Sequence, residues 1–369
     1  MTTTSEIPSS STAAVATEKI DQLRSLLADA LADIAAKTTD SSRCLILSGG
    51  VDTCAILDAS AQQGITYAGA LTVVVASPDA QQYGPDLLFA QAAAQKFPHM
   101  RHTIVYVTAP DLIHTYLPPC VQHLECYDGM TLRNSLVVAA AMKTAASLGY
   151  TDAIVGDGAD ELLGGYSFMW GDADMPAVWK EKRDRMCQQW TFATETLANM
   201  YGMTSHGPYM APPLVDWVLQ NVEREDCIGT RPIQLVHGGE YVDHATGKLL
   251  LRQAYNTVAS WRRKDPIEVG SGITIIGHDA YWKHHLSNDD FDSQTAVLRD
   301  THGFDIKTKE NLVNFRIFQQ CFGEEGEQHP TLQRLQRGQG CVGCCFDIGD
   351  SMFCKVCGAY PAQREKTTA

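Results

Sequence analysis

The sequence has no long apolar run and little positive charge. Among its 369 residues, 29 are Lys or Arg and 43 are Asp or Glu, which gives a formal net charge of −14. Without a run of ~18 apolar residues we expect no transmembrane helix. Proteins that coat nucleic acids need clustered cations, so we expect no nucleic-acid partner. The polar first 19 residues lack the features of a secretory signal. These absences predict a cytoplasmic protein that acts on small molecules.

Cysteine is too sparse for a disulfide-stabilised scaffold, because only 12 residues of the chain are Cys. Seven of them are scattered between Cys44 and Cys321, whereas five fall between Cys341 and Cys357. This distribution favours a reducing compartment and one local metal site. The chain also lacks a Walker A motif and any internal repeat of 20–50 residues.

Strand and helix patterns alternate over the first half of the chain. Buried-strand patterns occur at 44–48, 70–77, 102–108 and 152–158, and helical patterns at 18–37, 54–63, 86–96 and 132–148. The alternation predicts an α/β fold in which a parallel sheet carries helices on both faces. Residues 166–225 carry Trp, Met and Leu at helical spacings, residues 232–287 are mixed, and a last helix is predicted at 309–320. The C-terminal half is therefore expected to be mainly helical.

Composition divides the chain into three parts. Residues 1–16 are rich in Ser, Thr and Ala, which predicts disorder. Residues 17–325 are expected to form the main domain. Residues 326–369 are expected to form a linker and a small Cys-rich module.

A phosphate-binding loop is predicted at residues 47–53, where LSGGVDT follows a strand and precedes a helix. Gly49 and Gly50 allow successive backbone N–H groups to point at one anion, and the helix N-terminus adds its positive end. Ser48 and Thr53 supply hydroxyl donors, and Asp52 supplies a hard oxygen for Mg²⁺. The alternative is an ordinary capped Gly-Gly turn.

This loop resembles the pyrophosphate loop of the ATP-pyrophosphatases, which cut ATP between the α- and β-phosphates. A second loop at 155–166, VGDGADELLGGY, closely resembles the SGEGSDELFGGY loop of the asparagine synthetase family. Further segments agree in order: LECYD at 124–128, TLRNS at 131–135, WRRK at 261–264 and TKE at 308–310. Over roughly residues 20–322 the chain therefore resembles the synthetase domain of that family, to which the β-lactam synthetases are related.

The resemblance implies an ATP-pyrophosphatase fold and a set of site residues. Asp52 and Asp160 would hold the Mg²⁺ that grips the pyrophosphate, and Lys264 would neutralise charge that develops on the phosphates. In the family, the positions that match Leu47, Val75 and Gly156 frame the adenine and ribose. The resemblance thus implies an ATP- and Mg²⁺-dependent amide ligase that adenylates a carboxylate and passes it to ammonia or an amine.

Three departures from the family pattern bear on the substrate. Glutamine-dependent members begin with a glutaminase domain that the stretch before Leu47 is too short to hold. We therefore expect free ammonia, another amine, or ammonia from a partner protein as the nucleophile. Asp157 replaces a family Glu that helps to deprotonate the amine, and remains a candidate base. The HGPYMA segment at 206–211 replaces RxPFLD, which argues against aspartate as the substrate. The carboxylate and the amine stay open, as does intramolecular ring closure.

The Cys-rich end contains two CxxC pairs, formed by Cys341 with Cys344 and by Cys354 with Cys357. Two such pairs predict a closed tetrahedral Cys₄ site of the structural zinc type, with Cys345 as a fifth sulfur. An iron–sulfur cluster, disulfides and unbound thiols are the alternatives. This segment is not part of the family pattern, and bound metal would supply its folding energy.

Two other functions stay open beside the amide ligase. Some tRNA thiolases and other nucleotide-modifying ATP-pyrophosphatases combine a similar phosphate loop with a cysteine cluster. The net charge and the second loop weigh against this alternative. An inactive ATP-binding scaffold is disfavoured, since Asp52, Asp160 and Lys264 are all present.

Overall fold

The computed structural model describes residues 15–76, 83–171 and 175–363. The predicted disorder of residues 1–16 falls almost entirely outside these ranges. Val15 is described and buried, its N–H donating to Gln253 Oε1 at 3.2 Å, and the first helix begins at Thr17. Among the described residues, no helix has both the length and the apolar character that a membrane span requires.

Seven strands and sixteen α-helices are assigned over the described residues. The strands are β1 Arg43–Ile46, β2 Gly69–Ala76, β3 Arg101–Thr108, β4 Asp152–Ile154, β5 Thr204–His206, β6 Gly229–Gln234 and β7 Tyr241–Thr246. The helices are α1 Thr17–Lys37, α2 Val51–Gln62, α3 Asp86–Ala94, α4 Ala109–Asp111, α5 Leu117–Leu124, α6 Gly129–Ser147, α7 Ala159–Leu162, α8 Pro176–Gln189, α9 Ala193–Met200, α10 Pro212–Asn221, α11 Arg224–Cys227, α12 Leu249–Ala254, α13 Ile267–Ser271, α14 Asp279–Trp282, α15 Asn288–Val297 and α16 Lys309–Phe322.

The main sheet has five strands in the order β3-β2-β1-β4-β5. β1 pairs in parallel with β2 and with β4, and Cys44 lies opposite both Gly69 and Ala153. Seven of the eight residues of β2 are buried, as is typical of a parallel strand covered on both faces. The predicted α/β fold, with a parallel sheet flanked by helices and a mainly helical second half, is confirmed.

The sequence patterns missed three strands. β5, whose residues are Thr-Ser-His, lies within the span predicted to be helical, and is too short and polar to show a period. It is fixed by parallel pairing to β4, with Ser205 opposite Ala153. β6 and β7 form an antiparallel hairpin in the stretch that showed mixed patterns. Its strands contain Pro232 and charged residues, which obscure the alternation of a strand.

The chain divides into two compact units. The first takes in the described parts of Met1–Val74, Gly84–Val105 and Ala141–Ser271, and the second those of Val75–Tyr83, Tyr106–Ala140 and Gly272–Ala369. In the first unit, α1 buries Leu23, Leu27 and Leu31, and it contacts α2 and α12. In the second, an aromatic cluster joins Tyr127, Phe304, Phe315 and Phe318. The predicted boundary between residues 325 and 326 stays a prediction.

Candidate functional site

Two loops leave the sheet at the carboxyl ends of neighbouring parallel strands. The phosphate loop follows β1 and the second loop follows β4, so both emerge at the same edge. They press against each other, because a Cβ added to Gly156 would lie 3.1 Å from Asp52 Cβ and 3.2 Å from Thr53 Cγ2. Only a residue without a side chain allows the second loop to approach the start of α2 so closely.

The phosphate loop is held by its own hydroxyls. Thr53 Oγ1 accepts the N–H of Ser48 at 3.2 Å, and Ser48 Oγ accepts the N–H of Gly50 at 3.2 Å. Gly49 has a φ of +75°, and its carbonyl accepts a hydrogen bond from Arg262 Nη1 at 2.8 Å. The loop ends at Gly50, the N-cap of α2, and the positive end of this helix favours an anion at that place.

Arg262 anchors the WRRK segment beneath this loop. It is buried, lies 2.7 Å from Asp86 Oδ1, and stacks over the ring of Phe89 at 4.4 Å. The same guanidinium reaches Asp265 at 3.2 Å. In the sequence, the resemblance of this segment to the family points to Lys264 alone. The structure shows that its second residue ties the segment to the phosphate loop.

A cluster of two carboxylates and two ammonium groups lies where the loops meet. Lys248 Nζ is 2.7 and 2.6 Å from the two carboxylate oxygens of Asp52, and 2.8 Å from Asp160 Oδ1. Lys264 Nζ donates to Asp160 Oδ2 at 3.1 Å. Asp52, Asp160 and Lys264 are thus brought together, and Lys248 joins them. No sequence motif points to Lys248, which reaches Asp52 across 196 positions of the chain.

Within this cluster, the opposite charges shift the pKa values of Asp160 and Lys264 so that both groups stay charged. Burial alone would raise the pKa of Asp160, but Lys248 and Lys264 outweigh burial and hold that pKa well below its usual range. Burial likewise would lower the pKa of Lys264, yet the neighbouring Asp160 and Asp52 raise it overall. Asp160 is therefore ionised and Lys264 protonated at neutral pH. Such a site can bind a metal ion through the carboxylates and phosphate through the ammonium groups.

Asp157 has a different environment from the other two aspartates. Burial raises its pKa, a hydrogen bond from Thr194 offsets part of this, and the charges of Asp160 and Asp52 add to the rise. Within the described residues, its Oδ2 is buried and has no hydrogen-bond partner. A carboxylate in this state readily accepts a proton, which is what a general base requires.

Apolar side chains lie beside Gly158, the residue that follows Asp157. A Cβ at Gly158 would meet Met210 Cγ at 3.0 Å and Trp190 Cζ3 at 3.5 Å. His206, the first residue of the HGPYMA segment, is turned to Asp152, with its Nε2 2.9 Å from the carboxylate. Met210 thus lies beside the loop, and the imidazole of His206 is already paired.

Leu47 and Val75 are both buried. The N–H of Leu47 donates to Leu71 O at 2.8 Å, so this residue continues the sheet pairing. Val75 lies in β2. Their roles in framing a nucleotide stay predictions.

Four cysteine sulfurs of the second unit converge. The Sγ atoms of Cys341, Cys344, Cys354 and Cys357 all lie within 4.8 Å of one another. Cys341 Sγ and Cys357 Sγ are 3.6 Å apart, and Cys344 Sγ and Cys354 Sγ are 3.5 Å apart. A disulfide needs ~2.05 Å, whereas four sulfurs around one zinc ion lie about 3.8 Å apart. The group could therefore hold a metal ion such as zinc.

The two CxxC turns have the same backbone design. Cys345 N–H donates to Cys341 O at 2.8 Å, and Gly358 N–H donates to Cys354 O at 2.8 Å. Cys345 and Gly358 hold the same place in their turns, and both have positive φ, at 63° and 77°. Cys345 Sγ lies 3.8 Å from Gly303 O and is outside the four-sulfur group. The fifth sulfur therefore occupies a turn position.

The asparagine synthase family model matches residues 22–200, which include both loops, Asp52 and Asp160. Residues 22–200 are therefore similar to the asparagine synthase family. The resemblance drawn from the two loops is thereby confirmed.

The chain is also similar to curated proteins described as probable asparagine synthetases. The chain is 23% identical over 312 residues to a probable glutamine-hydrolysing asparagine synthetase of Schizosaccharomyces pombe, a match that covers 75% of this chain and 52% of that protein. It is 23% identical over 266 residues to one of Dictyostelium discoideum, covering 68% and 45%. The chain thus spans about half the length of the curated relatives it matches.

Among solved structures, an NMN synthetase from Francisella tularensis is similar at a TM-score of 0.26 and 12% identity. The match covers 58% of this chain and 98% of that one.

Replacing Gly49 by Ala should damage the phosphate loop through a steric contact. A Cβ there would lie 2.4 Å from Asp86 O and 2.8 Å from Ala90 N, both backbone atoms that cannot move aside. Gly64 is a matched control, since its φ is +69° and nothing lies within 4 Å of its added Cβ. We expect Gly49→Ala to cost ~1–3 kcal/mol more than Gly64→Ala in urea denaturation. Equal costs would show that the loop can relax.

Replacing Asp157 by Asn should stabilise the protein near neutral pH, by about 1–3 kcal/mol, because it removes a buried carboxylate charge. The folded-state pKa of Asp157 is raised, so the wild type loses stability as pH rises from the ordinary pKa of an aspartate through the raised pKa. The gain should therefore vanish at low pH. Thermal melts across pH would measure it.

Asp152→Asn provides the control of opposite sign. Burial raises the pKa of Asp152, but hydrogen bonds from His206, Thr151 and Ser42 outweigh burial and lower it. This variant should lose stability at neutral pH and approach the wild type in acid. If Asp157→Asn behaved in the same way, the Asp157 carboxylate would be compensated in the folded protein.

Proposed function

We propose that the chain is an ATP-dependent amide ligase that forms AMP and pyrophosphate. The observation that carries the proposal is the meeting of Asp52, Asp160, Lys264 and Lys248 between two loops that emerge at one edge of the sheet. ATP brings about four negative charges toward a substrate that is itself a carboxylate. A site that binds both must supply cations on the phosphate side.

The residues present fit a magnesium ion. Asp52 and Asp160 offer hard carboxylate oxygens from two loops, and Asp160 stays ionised at neutral pH because its pKa is held low. They would hold the ion, which would supply charge neutralisation for the pyrophosphate when bound. The phosphate loop would cradle the phosphates through the backbone N–H groups at the start of α2.

In the proposed reaction, a carboxylate oxygen of the substrate attacks the α-phosphorus and the bond to the β-phosphate oxygen breaks. Pyrophosphate leaves, and Lys264 compensates the charge that develops on the phosphates. Ammonia or an amine then attacks the acyl carbon, the bond to AMP breaks, and an amide forms. Asp157 accepts the proton that the nitrogen gives up, since its carboxylate is buried and lacks a partner for Oδ2 within the described residues.

The substrate side of the site favours an acid other than aspartate. Met210 and Trp190 lie against the loop next to Asp157, and His206 is paired with Asp152. These contacts supply apolar surface rather than a charge partner for a second carboxylate. The acceptor is therefore proposed to present an apolar group beside its reacting carboxylate.

The thiolase alternative finds no support in the cysteine next to the phosphate loop. Cys54 is 1% exposed, and burial raises the pKa of its thiol to about 12. A thiol in that state is a poor nucleophile. The amide ligase is therefore retained.

Turnover of ATP with pools of carboxylic acids would test this function, with ammonium, glutamine or neither. We expect AMP and pyrophosphate, detected by mass spectrometry, with at least one pool. Lys264→Met should reduce AMP formation ~10²–10³-fold. Lys307→Met, at an exposed lysine, should leave it unchanged. ADP in place of AMP, or full activity of Lys264→Met, would overturn the mechanism.

We also propose that the four-cysteine group binds a structural zinc ion. The purified protein should contain about one zinc per chain by elemental analysis. Cys341→Ser should lose the metal and melt at a lower temperature, whereas Cys345→Ser should keep it, because Cys345 lies outside the four-sulfur group. Less than half a metal ion per chain, or iron in its place, would contradict the assignment.

A further inference from the structure

We propose that Lys248 is a resident counter-ion that occupies the place between Asp52 and Asp160 until ATP arrives. The free protein would then bind a divalent cation only together with nucleotide. This inference rests on the proposed function in one respect, namely that these two aspartates are the metal ligands. It adds a positioning residue that the sequence motifs do not contain.

The contacts of Lys248 are those expected of an ion that bridges two carboxylates. Its ammonium lies 2.6–2.8 Å from three carboxylate oxygens that belong to two different loops. Its side chain is 1% exposed. Within the described residues, Lys264 pairs with Asp160 alone, at 3.1 Å, and its side chain is 25% exposed. Of the two lysines, Lys248 is the one that joins the loops.

The backbone around Lys248 is built to deliver it. Lys248 adopts the left-handed conformation, with φ 61° and ψ 31°, immediately before α12. Its N–H donates to Leu163 O at 3.0 Å, which ties it to the second loop. The preceding carbonyl, that of Gly247, accepts a hydrogen bond from buried Arg252 at 2.8 Å. A non-glycine residue keeps this conformation only where its surroundings impose it.

Glycines make the room for this arrangement. A Cβ at Gly165 would lie 1.8 Å from Asp160 Oδ1 and 2.4 Å from Lys248 Cε. A Cβ at Gly247 would lie 2.1 Å from Gly164 O. Gly165 in the second loop and Gly247 are thus explained by the close approach of the two segments.

The charge balance gives the consequence for metal binding. With Lys248 in place, Asp52 and Asp160 are compensated, and an incoming divalent cation must compete with a buried ammonium. ATP changes the balance because its phosphates offer that ammonium a new partner. Nucleotide and metal should therefore bind as a unit.

The test is a titration with Mn²⁺ alone, followed by electron paramagnetic resonance, in the absence of nucleotide. In the wild type we expect no Mn²⁺ binding that depends on Asp52. In Lys248→Met we expect at least tenfold tighter binding, which Asp52→Asn in the same background should abolish. This double variant also separates the site from any Mn²⁺ held by the cysteine group. Lys264→Met, which removes one contact to Asp160, should tighten binding less.

Three outcomes decide the matter. Wild-type protein that binds Mn²⁺ tightly without nucleotide, and loses this binding in Asp52→Asn, would overturn the proposal even if Lys248→Met failed to fold. Folded Lys248→Met with wild-type Mn²⁺ affinity would overturn it too. A repeat with ATP distinguishes the two proposals, since wild-type protein that holds no Mn²⁺ even then would contradict the metal assignment of the proposed function.

Discussion

The ion pairs of Lys248 with Asp52 and Asp160 are the constraint on which the site depends. Each aspartate lies on its own loop, and Lys248 contacts both carboxylates. Without that ammonium, the two negative carboxylates would repel each other and the loops would separate. The bridging ammonium of Lys248 offsets that repulsion and holds the two loops together. It reaches this place only because Gly165 and Gly247 leave room for it. The sequence of the second loop and the position of α12 therefore depend on each other.

The same site shifts the pKa values of two of its aspartates in opposite directions. Asp160 is held ionised by two lysines, while burial raises the pKa of Asp157 a few residues away. Carboxylates whose environments separate their pKa values can take separate roles, one holding a charge and the other exchanging a proton. The division follows from position, because Lys248 and Lys264 both reach Asp160, whereas the contact identified at Asp157 is the hydroxyl of Thr194.

The sequence predicted the parts of this molecule that local patterns encode. The strand-helix alternation gave the parallel sheet, and two short motifs located Asp52 and Asp160. Lys248 could not be found in this way, since its partners lie far along the chain and its own neighbours form no motif. β5 was missed for a related reason: its Thr-Ser-His sequence becomes a strand only through pairing with β4. Cys345 was counted among the sulfurs, although its turn position becomes visible only from the backbone.

Tyr127 connects the cysteine group to the rest of the second unit. Its N–H donates to Val356 O at 2.7 Å, and Val356 lies inside the second CxxC turn. The ring of Tyr127 packs against Phe315 and Phe318 of α16. Within the described residues, its hydroxyl is buried and has no hydrogen-bond partner. Tyr127 belongs to the LECYD segment. A metal ion that held the second CxxC turn in place would therefore also hold the LECYD segment in place. The Cys-rich end, which the family pattern lacks, is thereby built into the core of that unit.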